Sequence, residues 1–559
     1  MNNLTPFAIA ILATQIAASP GAFAQQPPNA GEQLRQIPPP VLSDKAAPDI
    51  RVERQAAPGR TEAGGATVRV QSVRVTGNTR FSQSELNAAA GLAAGRDLTL
   101  ADLRAGAARI SAFYNSRGYF LAQAYLPAQD VSAGAVEIAV LEGRYGTIDV
   151  RNQSGLRDGR ERELLSGLRS GDLVANAPLE RRLLLLSDTP GVRVRSTLSP
   201  GGTVGTSDLV VDLEPGRRVT GSVEADNAGN RYTGTYRAGG TINLNNPTGA
   251  GDLLSLRVLA SEGGLAYGRA AYQAPVGEAT IGVAFTHLQY ELGREFRVLD
   301  GEGTADILSV FGSYPLIRSR GANLYALAGF DAKSLEDEIG LVSTKSDKRL
   351  GVANLGLAGD WRDGFAGGGS SLFSLGVAVG ELDIRSRAER EADALTARSD
   401  GGFGKVQGSY SRAQSLGGPL SLYGSLRGQL AFDNLDSSEK IQLGGAYGVR
   451  AYPEGEAYGD HGYIATIEAR LLLNRRDEGL PGQFQVFGFV DAGEVQFAQD
   501  RWFPGSNSAA LSGAGAGLTW FGPHDLLVRG SYARKLSDAK STSQPDKGGR
   551  AWFQIAKQF

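Results

Sequence analysis

The chain has 559 residues, no cysteine and a formal net charge of −2, which excludes a disulfide-stapled scaffold and gives no indication of nucleic-acid binding. Glycine is unusually common: it accounts for 76 of the 559 residues, roughly double the average usage of roughly 7%. No apolar run reaches the ~18 residues that a transmembrane helix needs, so a closed barrel of strands is the one architecture by which this chain could cross a membrane.

The N-terminal segment has the features of a cleavable signal peptide. An apolar stretch from Phe7 to Ala18 is followed by Ala22-Phe23-Ala24, a small-x-small cleavage pattern. Residues 1–24 are therefore expected to be a signal peptide, with a flexible tail as the alternative because no Lys or Arg precedes the apolar stretch. Residues 25–66 are rich in Pro and Ala and are predicted to be a linker, with one short helix from Gly31 to Ile37 that ends at the prolines.

The pattern of apolar and polar residues in residues 67–216 predicts two small α/β units, residues 67–143 and residues 144–216. In the first unit, apolar and polar residues alternate from Val68 to Val75, which predicts a strand, and helical spacing follows from Leu100 to Tyr114. The other elements predicted in this unit are strands Leu121 to Leu126 and Ala135 to Leu141. The second unit is predicted to contain strand Gly146 to Val150, helices Arg160 to Leu168 and Leu179 to Ser187, and strands Val192 to Leu198 and Leu209 to Leu213.

From residue 217 to residue 559 the helical periodicity disappears and strand-like alternation replaces it. Leu254, Leu256 and Val258 alternate with Ser255 and Arg257, as expected for a strand with an apolar lipid side and a polar lumen side. A soluble β-sandwich also alternates, but an even strand number favours a bacterial outer-membrane barrel. We predict about sixteen strands, which begin near residues 218, 234, 252, 265, 280, 304, 322, 347, 368, 402, 420, 463, 484, 513, 525 and 551.

The chain ends on an aromatic residue, in a last predicted strand from Ala551 to Phe559. Phe553, Ile555 and Phe559 share one side of this strand, although Lys557 interrupts the apolar pattern. A terminal aromatic residue with alternating apolar residues suits a final strand that closes the barrel and is read by the insertion machinery. We therefore predict that these three residues are the closing signal, with a chance terminal Phe as the alternative.

Four further sets of residues occur along the chain in a distinctive order. The first set comprises Gly77, Asn78, Tyr114, Gly118, Tyr119, Pro127, Gln129, Glu142 and Gly143. The second set comprises the segments 226–229 and 246–252, at the start of the predicted barrel. The third set comprises Leu443-Gly444-Gly445, Val449-Arg450-Ala451-Tyr452 and Gly459-Asp460. The fourth set is Phe489-Val490-Asp491-Ala492-Gly493, in which Phe489, Asp491 and Gly493 are the candidate functional residues.

Together these sets resemble the outer-membrane transporters of two-partner secretion, the TpsB family with FhaC-like and ShlB-like members, which is related to the BamA-like insertases. The first set resembles the family's first POTRA domain, and the second is similar to the start of its barrel. The third set resembles a long loop that folds into the lumen, and the fourth resembles the barrel-wall motif that meets this loop. Their order and spacing cover nearly the whole chain after the predicted signal peptide.

The resemblance implies α+β POTRA domains at residues 67–143 (ShlB-type) and 144–216, followed by a transmembrane antiparallel β-barrel at residues 217–559. It implies a pore in the outer membrane that secretes a partner exoprotein by type V secretion, with periplasmic POTRA domains that recognise the unfolded exoprotein. Outer-membrane lipid and, during biogenesis, the barrel assembly machinery are the other expected partners. A BamA-type insertase or a passive porin is the alternative, although an insertase usually has more POTRA units.

No catalytic residue, cofactor or metal site is predicted, and the chain is not expected to be an enzyme. His287, His461 and His524 are far apart in the sequence, which gives no indication of a metal cluster. The phosphate-binding pattern of nucleotide hydrolases does not occur either.

Arg450 and Asp491 form the central pair that the resemblance implies. Strand parity places Asp491 on the lumen side, where Arg450 is expected to reach it from the loop tip with ~1–3 kcal/mol of stabilisation in a wet lumen. The family usually has Val-Arg-Gly-Tyr at this tip, whereas here the third position is Ala451, which tolerates a left-handed conformation poorly. The helix from Gly31 to Ile37 is expected either to plug the barrel or to belong to a disordered tail.

Overall fold

The computed structural model describes residues 27–38, 49–52, 67–473 and 481–559. The predicted signal peptide and most of the predicted linker lie outside the described residues. No helix in these ranges is both long and apolar enough to cross a membrane. The α-helices of the described residues are α1 (Ala30–Arg35), α2 (Gln83–Ala90), α3 (Leu100–Ser116), α4 (Arg160–Leu165), α5 (Asn176–Ser187) and α6 (Arg387–Leu395).

The part of the chain before the barrel forms two α+β units. Residues 67–143 contain a three-stranded sheet in the order β3-β6-β5 and a two-stranded sheet β2-β4. Residues 144–216 form a four-stranded sheet in the order β1-β8-β9-β7, in which β1 comes from the predicted linker. These strands are β1 (Asp49–Val52), β2 (Thr67–Val70), β3 (Ser72–Thr76), β4 (Arg96–Thr99), β5 (Gln123–Tyr125), β6 (Ala135–Leu141), β7 (Arg144–Asn152), β8 (Val192–Pro200) and β9 (Thr206–Pro215).

The prediction of one continuous strand from Val68 to Val75 was wrong. The chain breaks at Gln71, where the backbone N–H groups of Gln71 and Ser72 both donate to the carbonyl of Gly134. β2 pairs antiparallel with β4, whereas β3 pairs parallel with β6. The strand therefore changes its partner in mid-run, and the alternation shifts by one residue there, from Val68 and Val70 in β2 to Val73 and Val75 in β3.

Each unit has its own apolar core. Ile110 and Tyr114 of α3 are fully buried against β3 and β6 in the first unit, and Leu183 of α5 packs against Leu209 of β9 in the second. The predicted helix from Arg160 to Leu168 is shorter than expected and ends at Leu165. Each unit thus buries the apolar face of its helices against its own sheet, and Phe120 and Leu121 of the first unit also pack against the core of the second.

Residues after 217 form a closed antiparallel barrel of sixteen strands, as predicted. The largest displacement from a predicted start is at β25, predicted from about residue 513 and found from Ser508. The barrel closes through pairing of β10 with β27, from Ser222 with Gln558 to Asp226 with Gln554. Its strands are β10 (Val219–Asp226), β11 (Arg237–Asn245), β12 (Leu253–Ser261), β13 (Ala266–Val276), β14 (Ala279–Glu291), β15 (Gly301–Arg318), β16 (Ala322–Ile339), β17 (Thr344–Asp363), β18 (Gly369–Ile384), β19 (Gly401–Ser415), β20 (Leu420–Ala431), β23 (His461–Leu473), β24 (Gln483–Gln496), β25 (Ser508–Phe521), β26 (Leu526–Lys535) and β27 (Gly549–Gln558).

The two sides of the barrel wall differ in polarity as the alternation indicated. Val223 and Val258 are 54% and 63% exposed on the outer side, where lipid would cover them. Their neighbours Glu224 and Arg257 are buried on the inner side and form an ion pair of 2.8 Å. The wall is thus apolar towards the membrane and charged towards the lumen, the arrangement of a transmembrane barrel.

Several short elements interrupt the loops between barrel strands. The small strands β21 (Ile441–Gln442) and β22 (Tyr458–Gly459) pair with each other between β20 and β23, and α6 lies between β18 and β19. Single 3-10 turns occur at Arg294–Leu299, Gly340–Val342, Phe365–Gly367 and Ser437–Glu439. We predicted none of these elements within the barrel region.

Candidate functional site

A long loop between β20 and β23 folds back into the lumen and packs on the inner wall. In this segment, residues 432–460 and hereafter the lumen loop, Leu443, Val449 and Tyr452 are fully buried. They belong to an apolar cluster with inward-facing residues of β23 to β26, including Phe487 and Phe489. The loop therefore occupies the interior of the barrel and is held there partly by apolar packing.

Arg450, near the tip of the lumen loop, binds Asp491 of β24 with both ends of its guanidinium group. Arg450 Nε donates to Asp491 Oδ2 at 2.8 Å and Nη2 donates to Oδ1 at 2.7 Å. The backbone N–H of Arg450 donates to the same carboxylate at 3.2 Å, and the guanidinium carbon lies 3.4 Å from the centre of the Phe489 ring. Such a forked contact fixes direction as well as distance.

The surroundings of this pair are dry, contrary to the wet lumen that we expected. Asp491 is 0% exposed and Arg450 is 6% exposed, because the lumen loop itself covers them. Removal of one partner from a buried pair leaves an uncompensated charge and costs more than the loss of a solvated contact. The expected contribution of ~1–3 kcal/mol therefore understates the effect of breaking the contact.

A second carboxylate completes the cluster, and the sequence reasoning missed it. Glu468 of β23 accepts hydrogen bonds from Arg450 Nη1 at 2.7 Å, Arg470 Nη2 at 2.7 Å and Arg529 Nη2 at 3.2 Å. Glu468 pairs in register with Phe489 on the neighbouring strand. Strand parity on β23 could have placed it on the lumen side, but nothing in the sequence linked it to Arg450. The cluster holds three guanidinium groups and two carboxylates, so it carries a net positive charge.

The other residues of the loop tip are held by the last two strands and the segment between them. Tyr452 Oη is 2.8 Å from Ser537 Oγ and donates to the carbonyl of Ala539 at 3.0 Å. Trp552 Nε1 of β27 donates to the carbonyl of Arg450 at 2.7 Å. Hydrogen bonds therefore join the tip to three strands of the wall, β23, β24 and β27, and to the segment between β26 and β27.

Ala451 is accommodated by a glycine on the facing strand. Ala451 is fully buried and does not have a positive φ, so the left-handed conformation that we considered for this position is not adopted. A Cβ atom on Gly513 of β25 would lie 2.5 Å from the Cβ of Ala451. The methyl group of Ala451 thus fills the space that Gly513 leaves open.

We predict that Gly513→Ala displaces the loop tip and lowers the secretion that the family resemblance implies, because two methyl groups cannot share this space. The double variant Gly513→Ala/Ala451→Gly should restore secretion, since it moves the methyl group from the loop to the wall. Secretion of a partner exoprotein and the amount of folded barrel in the membrane are measured for both variants. Equal secretion by the single and double variants would contradict the prediction.

Helix α1 lies inside the barrel, beside the lumen loop. The backbone N–H of Ala30 donates to Asp337 Oδ1 at 2.8 Å, and Thr233 Oγ1 donates to Gln33 Oε1 at 2.8 Å. Gln36 Nε2 donates to Tyr458 Oη of the lumen loop at 2.6 Å. These polar contacts hold the helix to the wall and to the loop, and Ala30, Leu34 and Ile37 add apolar packing against the inner wall.

Glu32 of α1 lies in surroundings that disfavour the charged form of its carboxyl group. Burial raises the pKa of Glu32 to about 8, and the carboxylates of Asp337 and Asp436 add to the shift, whereas the Asn29 cap and Lys440 oppose it. Lys440 in turn binds Asp460 at 2.5 Å, at the end of the lumen loop. The docked helix therefore favours a neutral Glu32.

Glu142 is the centre of the residue set that resembles a first POTRA domain. Its buried carboxylate accepts hydrogen bonds from the backbone N–H groups of Thr79 at 2.7 Å and Arg80 at 2.8 Å, and from Tyr114 Oη at 2.9 Å. Gly77 precedes this turn with a φ of +78°. A turn, a helix and the end of β6 are therefore tied together through one side chain.

The remaining members of this set lie around that centre or at the edge of the sheet. Asn78 Nδ2 donates to the carbonyl of Phe81 at 2.9 Å, and Tyr119 Oη accepts from Arg80 Nε at 2.6 Å. Gln129 bonds both backbone groups of Glu137, at 2.7 and 2.6 Å, and so continues the sheet edge with a side chain. Gly118 and Gly143 have φ of +89° and +75°, and the carbonyl of Pro127 accepts from Gln129 Nε2 at 3.3 Å.

The predicted closing residues lie on the seam between the first and last strands. Phe559 exchanges two backbone hydrogen bonds of 3.0 Å with Gly221 of β10. A Cβ atom on Gly221 would lie 2.7 Å from the Phe559 ring, so this glycine makes room for the terminal aromatic residue. Phe553 is 50% exposed on the outer side, and Ile555 pairs with Ala225.

Ion pairs join the second unit to the short turns at the end of the barrel that faces this unit. Glu278, between β13 and β14, binds Arg181 at 2.5 Å and Arg182 at 2.6 Å, both on α5. Arg318 at the end of β15 forms a forked contact with Asp188 at 2.7 and 2.9 Å. Within the described residues, no group of three or more potential metal ligands occurs.

Comparison with known proteins identifies a family for most of the chain. A model of haemolysin secretion/activation proteins ShlB/FhaC/HecB matches residues 205–520, and a model of the ShlB-type POTRA domain matches residues 68–143. The chain is 28% identical over 469 residues to the heme/hemopexin transporter protein HuxB of Haemophilus influenzae, covering 83% of this chain and 82% of HuxB. It is 26% identical over 424 residues to the outer membrane transporter CdiB of Dickeya dadantii, covering 73% and 72% of the two chains.

Solved structures show the same fold. CdiB from Escherichia coli matches with a TM-score of 0.70 at 20% identity and covers 100% of both chains. BamA from Haemophilus ducreyi without its first three POTRA domains matches with a TM-score of 0.53 at 14% identity, covering 88% of this chain and 100% of BamA. The family model spans more than half of the sequence. The chain therefore belongs to the ShlB/FhaC/HecB family of haemolysin secretion/activation proteins and is an outer-membrane transporter of two-partner secretion, with its POTRA region in the periplasm.

Proposed function

We propose that this chain carries one exoprotein, in unfolded form, from the POTRA region through the barrel lumen to the cell surface or medium. The observation that supports this most directly is that two segments of the chain lie inside the barrel. A barrel of sixteen strands is wide enough for an aqueous channel, and here α1 and the lumen loop occupy it as separate inserted segments. Movement of such segments opens a path without any change in the wall.

Capture of the exoprotein is the role that we assign to the periplasmic units. Residues 144–216 form a second POTRA domain in this proposal, after the first at residues 67–143. Their exposed sheet edges pair with extended segments of the unfolded exoprotein, because backbone hydrogen bonds supply affinity with little demand on sequence. The motif residues around Glu142 keep the first unit rigid.

Arg450 and Asp491 hold the lumen loop in one position on the wall in this scheme. Their buried and forked contact gives the loop a defined docking site, and the neighbouring Glu468 makes the site specific for a guanidinium group. The pair acts on the loop in this proposal, which assigns no residue to catalysis and requires no cofactor. Folding of the exoprotein outside the cell makes its return unfavourable, so that no nucleotide is needed.

Two further partners belong to the proposal. Lipid of the outer membrane covers the apolar outer face of the barrel, and the barrel assembly machinery reads the closing strand with Phe553, Ile555 and Phe559. An insertase function of the BamA type is less well supported, since two POTRA-like units precede the barrel here.

The test begins with deletion of the gene in its own bacterium. We expect one large surface or culture-fluid protein to disappear, whereas the set of other outer-membrane proteins stays constant. Purified transporter in liposomes should then move that exoprotein across the bilayer without an added energy source. A general loss of outer-membrane proteins would instead indicate an insertase, and no transfer in liposomes would contradict the energetic argument.

A further inference from the structure

The outer side of the barrel wall carries a groove across β18, β19, β20, β23 and β24. Its volume of about 990 Å³ lies within the range of ~300–1,000 Å³ that is usual for ligand sites. Leu426, Leu430 and Tyr463 line it and are about half-exposed on the outer side. Their strand neighbours Arg427 and Gln429 bond the lumen loop on the inner side. The groove therefore opens towards the membrane, on the side that lipid covers.

Two glycines form the floor of this groove. Gly408 of β19 and Gly428 of β20 are register partners, so they lie side by side on the wall. The same row continues with Leu375 of β18 on one side and Tyr463 of β23 on the other. A Cβ atom on Gly408 would lie 3.7 Å from Leu375 Cδ1, and one on Gly428 would lie 3.9 Å from Tyr463 Cβ. The floor is thus a gap between an apolar side chain and an aromatic ring.

The backbone does not require glycine at either position. Neither Gly408 nor Gly428 has a positive φ, and the pairing of β20 with β19 and with β23 continues through them without a bulge. The backbone oxygens nearest to the added Cβ atoms would lie at 3.4 and 3.3 Å, which leaves room for a small side chain. Glycine weakens the interior of a strand, and away from bulges it marks the close approach of a ligand or of another backbone. The two glycines therefore indicate a molecule that packs against the wall from the membrane side.

The groove has a polar end on the side of the barrel that faces away from the second unit. Glu494 of β24 is the register partner of Tyr463 and is exposed on the outer side. Gln496 and Ser508 follow, where β24 and β25 meet their extracellular loop. Tyrosine is enriched at the surface of a membrane, because its ring lies in lipid while its hydroxyl group reaches water. The groove therefore extends from the hydrocarbon region to the level of the head groups in the outer leaflet.

We propose that this groove binds one glycolipid of the outer leaflet, with an acyl chain over Gly408 and Gly428 and the sugar head group against Tyr463 and Glu494. An acyl chain fits because the floor and sides are apolar and continuous with the lipid-covered wall. A sugar fits the polar end because its C–H face packs on an aromatic ring while its hydroxyl groups donate to a carboxylate.

The site makes a general lipid contact of the barrel specific at one place. It rests on the proposed function only in the contact of this face with outer-membrane lipid, and secretion plays no part in it. The same stretch of β20 anchors the lumen loop on its other side, where Gln429 Nε2 donates to the carbonyl of Glu439 at 2.9 Å. A bound glycolipid consequently supports the part of the wall that holds the loop.

Binding is measured on the purified full-length chain in detergent by native mass spectrometry, with lipid A as the probe. We expect the unmodified chain to retain one lipid A molecule. Gly408→Leu/Gly428→Leu fills the floor and should weaken retention by about tenfold or more, the equivalent of about 1.4 kcal/mol. Both leucine side chains point into lipid, so the amount of folded barrel should stay normal. Gly408→Leu alone fills half of the floor and should have a smaller effect in the same direction.

A glycine elsewhere on the outer side provides the matched control. Gly268 of β13 is the register partner of Val258, which is 63% exposed to the membrane, and nothing lies within 4 Å of a Cβ atom added to Gly268. Gly268→Leu should therefore retain lipid A like the unmodified chain. Equal retention of lipid A by Gly268→Leu and by the variants with a filled floor would overturn the site.

The head group is tested separately from the acyl chain. Glu494→Ala should weaken retention of lipid A but leave retention of phosphatidylglycerol unchanged, because it removes only the partner of the sugar. If the unmodified chain retains phosphatidylglycerol as strongly as lipid A, or if Glu494→Ala retains lipid A normally, the groove does not select a glycolipid and the proposal is wrong. None of these measurements uses secretion, so the gene deletion decides the proposed function independently.

Heat stability gives a second readout, since a ligand that binds the folded state stabilises it. Added lipid A should raise the temperature at which the folded, heat-modifiable form of the barrel is lost. We expect this shift for the unmodified chain and for Gly268→Leu, but not for Gly408→Leu/Gly428→Leu. An equal shift in all three would show that lipid A acts through the whole wall, which would also overturn the site.

Discussion

Asp491→Ala should reduce secretion of the partner exoprotein severely while the barrel still inserts into the outer membrane. The variant removes the carboxylate that receives both ends of the Arg450 guanidinium group and leaves a buried cation facing Glu468. Breaking a buried pair by loss of one partner costs ~3–5 kcal/mol, which shifts the equilibrium between docked and undocked loop by more than about a hundredfold. Backbone pairing of β24 does not involve the side chain, so barrel closure is retained. Secretion is measured against the amount of heat-modifiable, folded barrel in the membrane.

A surface ion pair provides the matched control for this variant. Glu336 binds Lys345 at 2.8 Å, but both side chains are about half-exposed. Exposed pairs contribute ~0–1 kcal/mol, so Glu336→Ala should secrete like the unmodified chain. Arg450→Lys should be intermediate, because lysine keeps the charge but cannot form the forked contact. Normal secretion by Asp491→Ala, with a normal amount of folded barrel, would mean that docking of the loop is not needed for transport.

The barrel could be predicted from sequence because its wall has a simple physical period. Lipid on one side and water or inserted segments on the other make side chains alternate between apolar and polar. The sixteen strands followed from this alternation even though no single strand was distinctive. By contrast, α6 was missed, although Arg387 and Glu391 form an i,i+4 pair on it, because a region of continuous strands was expected there.

The candidate site was predictable only in part. Arg450 and Asp491 belong to local motifs, so their positions in the sequence indicated them, whereas Glu468 and Arg529 join the cluster only through strand register. The role of Gly513 depends on a contact between the wall and Ala451 of the lumen loop, and no local sequence pattern indicates such a contact.

Some strands of the periplasmic units were likewise not predictable, because they depend on pairing with residues distant in sequence. β1 lies in a Pro-rich and Ala-rich linker, and it becomes a strand because β8 offers an edge. The strand breaks at Gln71, where it changes its partner, and the shift from Val68 and Val70 to Val73 and Val75 is the one sign of this break in the sequence. Helix α2 could have been found from its capping box, Ser82 with Glu85, but its weak apolar pattern concealed it.

The second large effect that we expect is an increase of pore opening with pH, caused by Glu32 of α1. This helix is not one of the membrane-spanning strands, and its docked position raises the pKa of Glu32 to about 8 through burial and through the nearby carboxylates of Asp337 and Asp436. In water the same carboxyl group has its ordinary pKa near 4.5. The docked state therefore binds a proton more tightly than the released state. Docking is strongest below pH 4.5 and weakens as the pH rises to about 8, by up to about tenfold for each pH unit.

Conductance of the full chain in planar bilayers between pH 5 and pH 9 measures this effect. The open probability of the unmodified chain should rise with pH, whereas Glu32→Gln should stay mostly closed across the range, because its side chain is neutral and nearly the same size. Glu85→Gln, at an exposed position of α2, is the control: hydrogen bonds from Ser82 lower the pKa of Glu85, so the group carries a constant charge over this range. Burial also raises the pKa of Glu454 in the lumen loop, to about 7. If Glu32→Gln retains the full pH dependence of the unmodified chain, the helix carboxyl group is not responsible, and Glu454→Gln becomes the variant that should remove it.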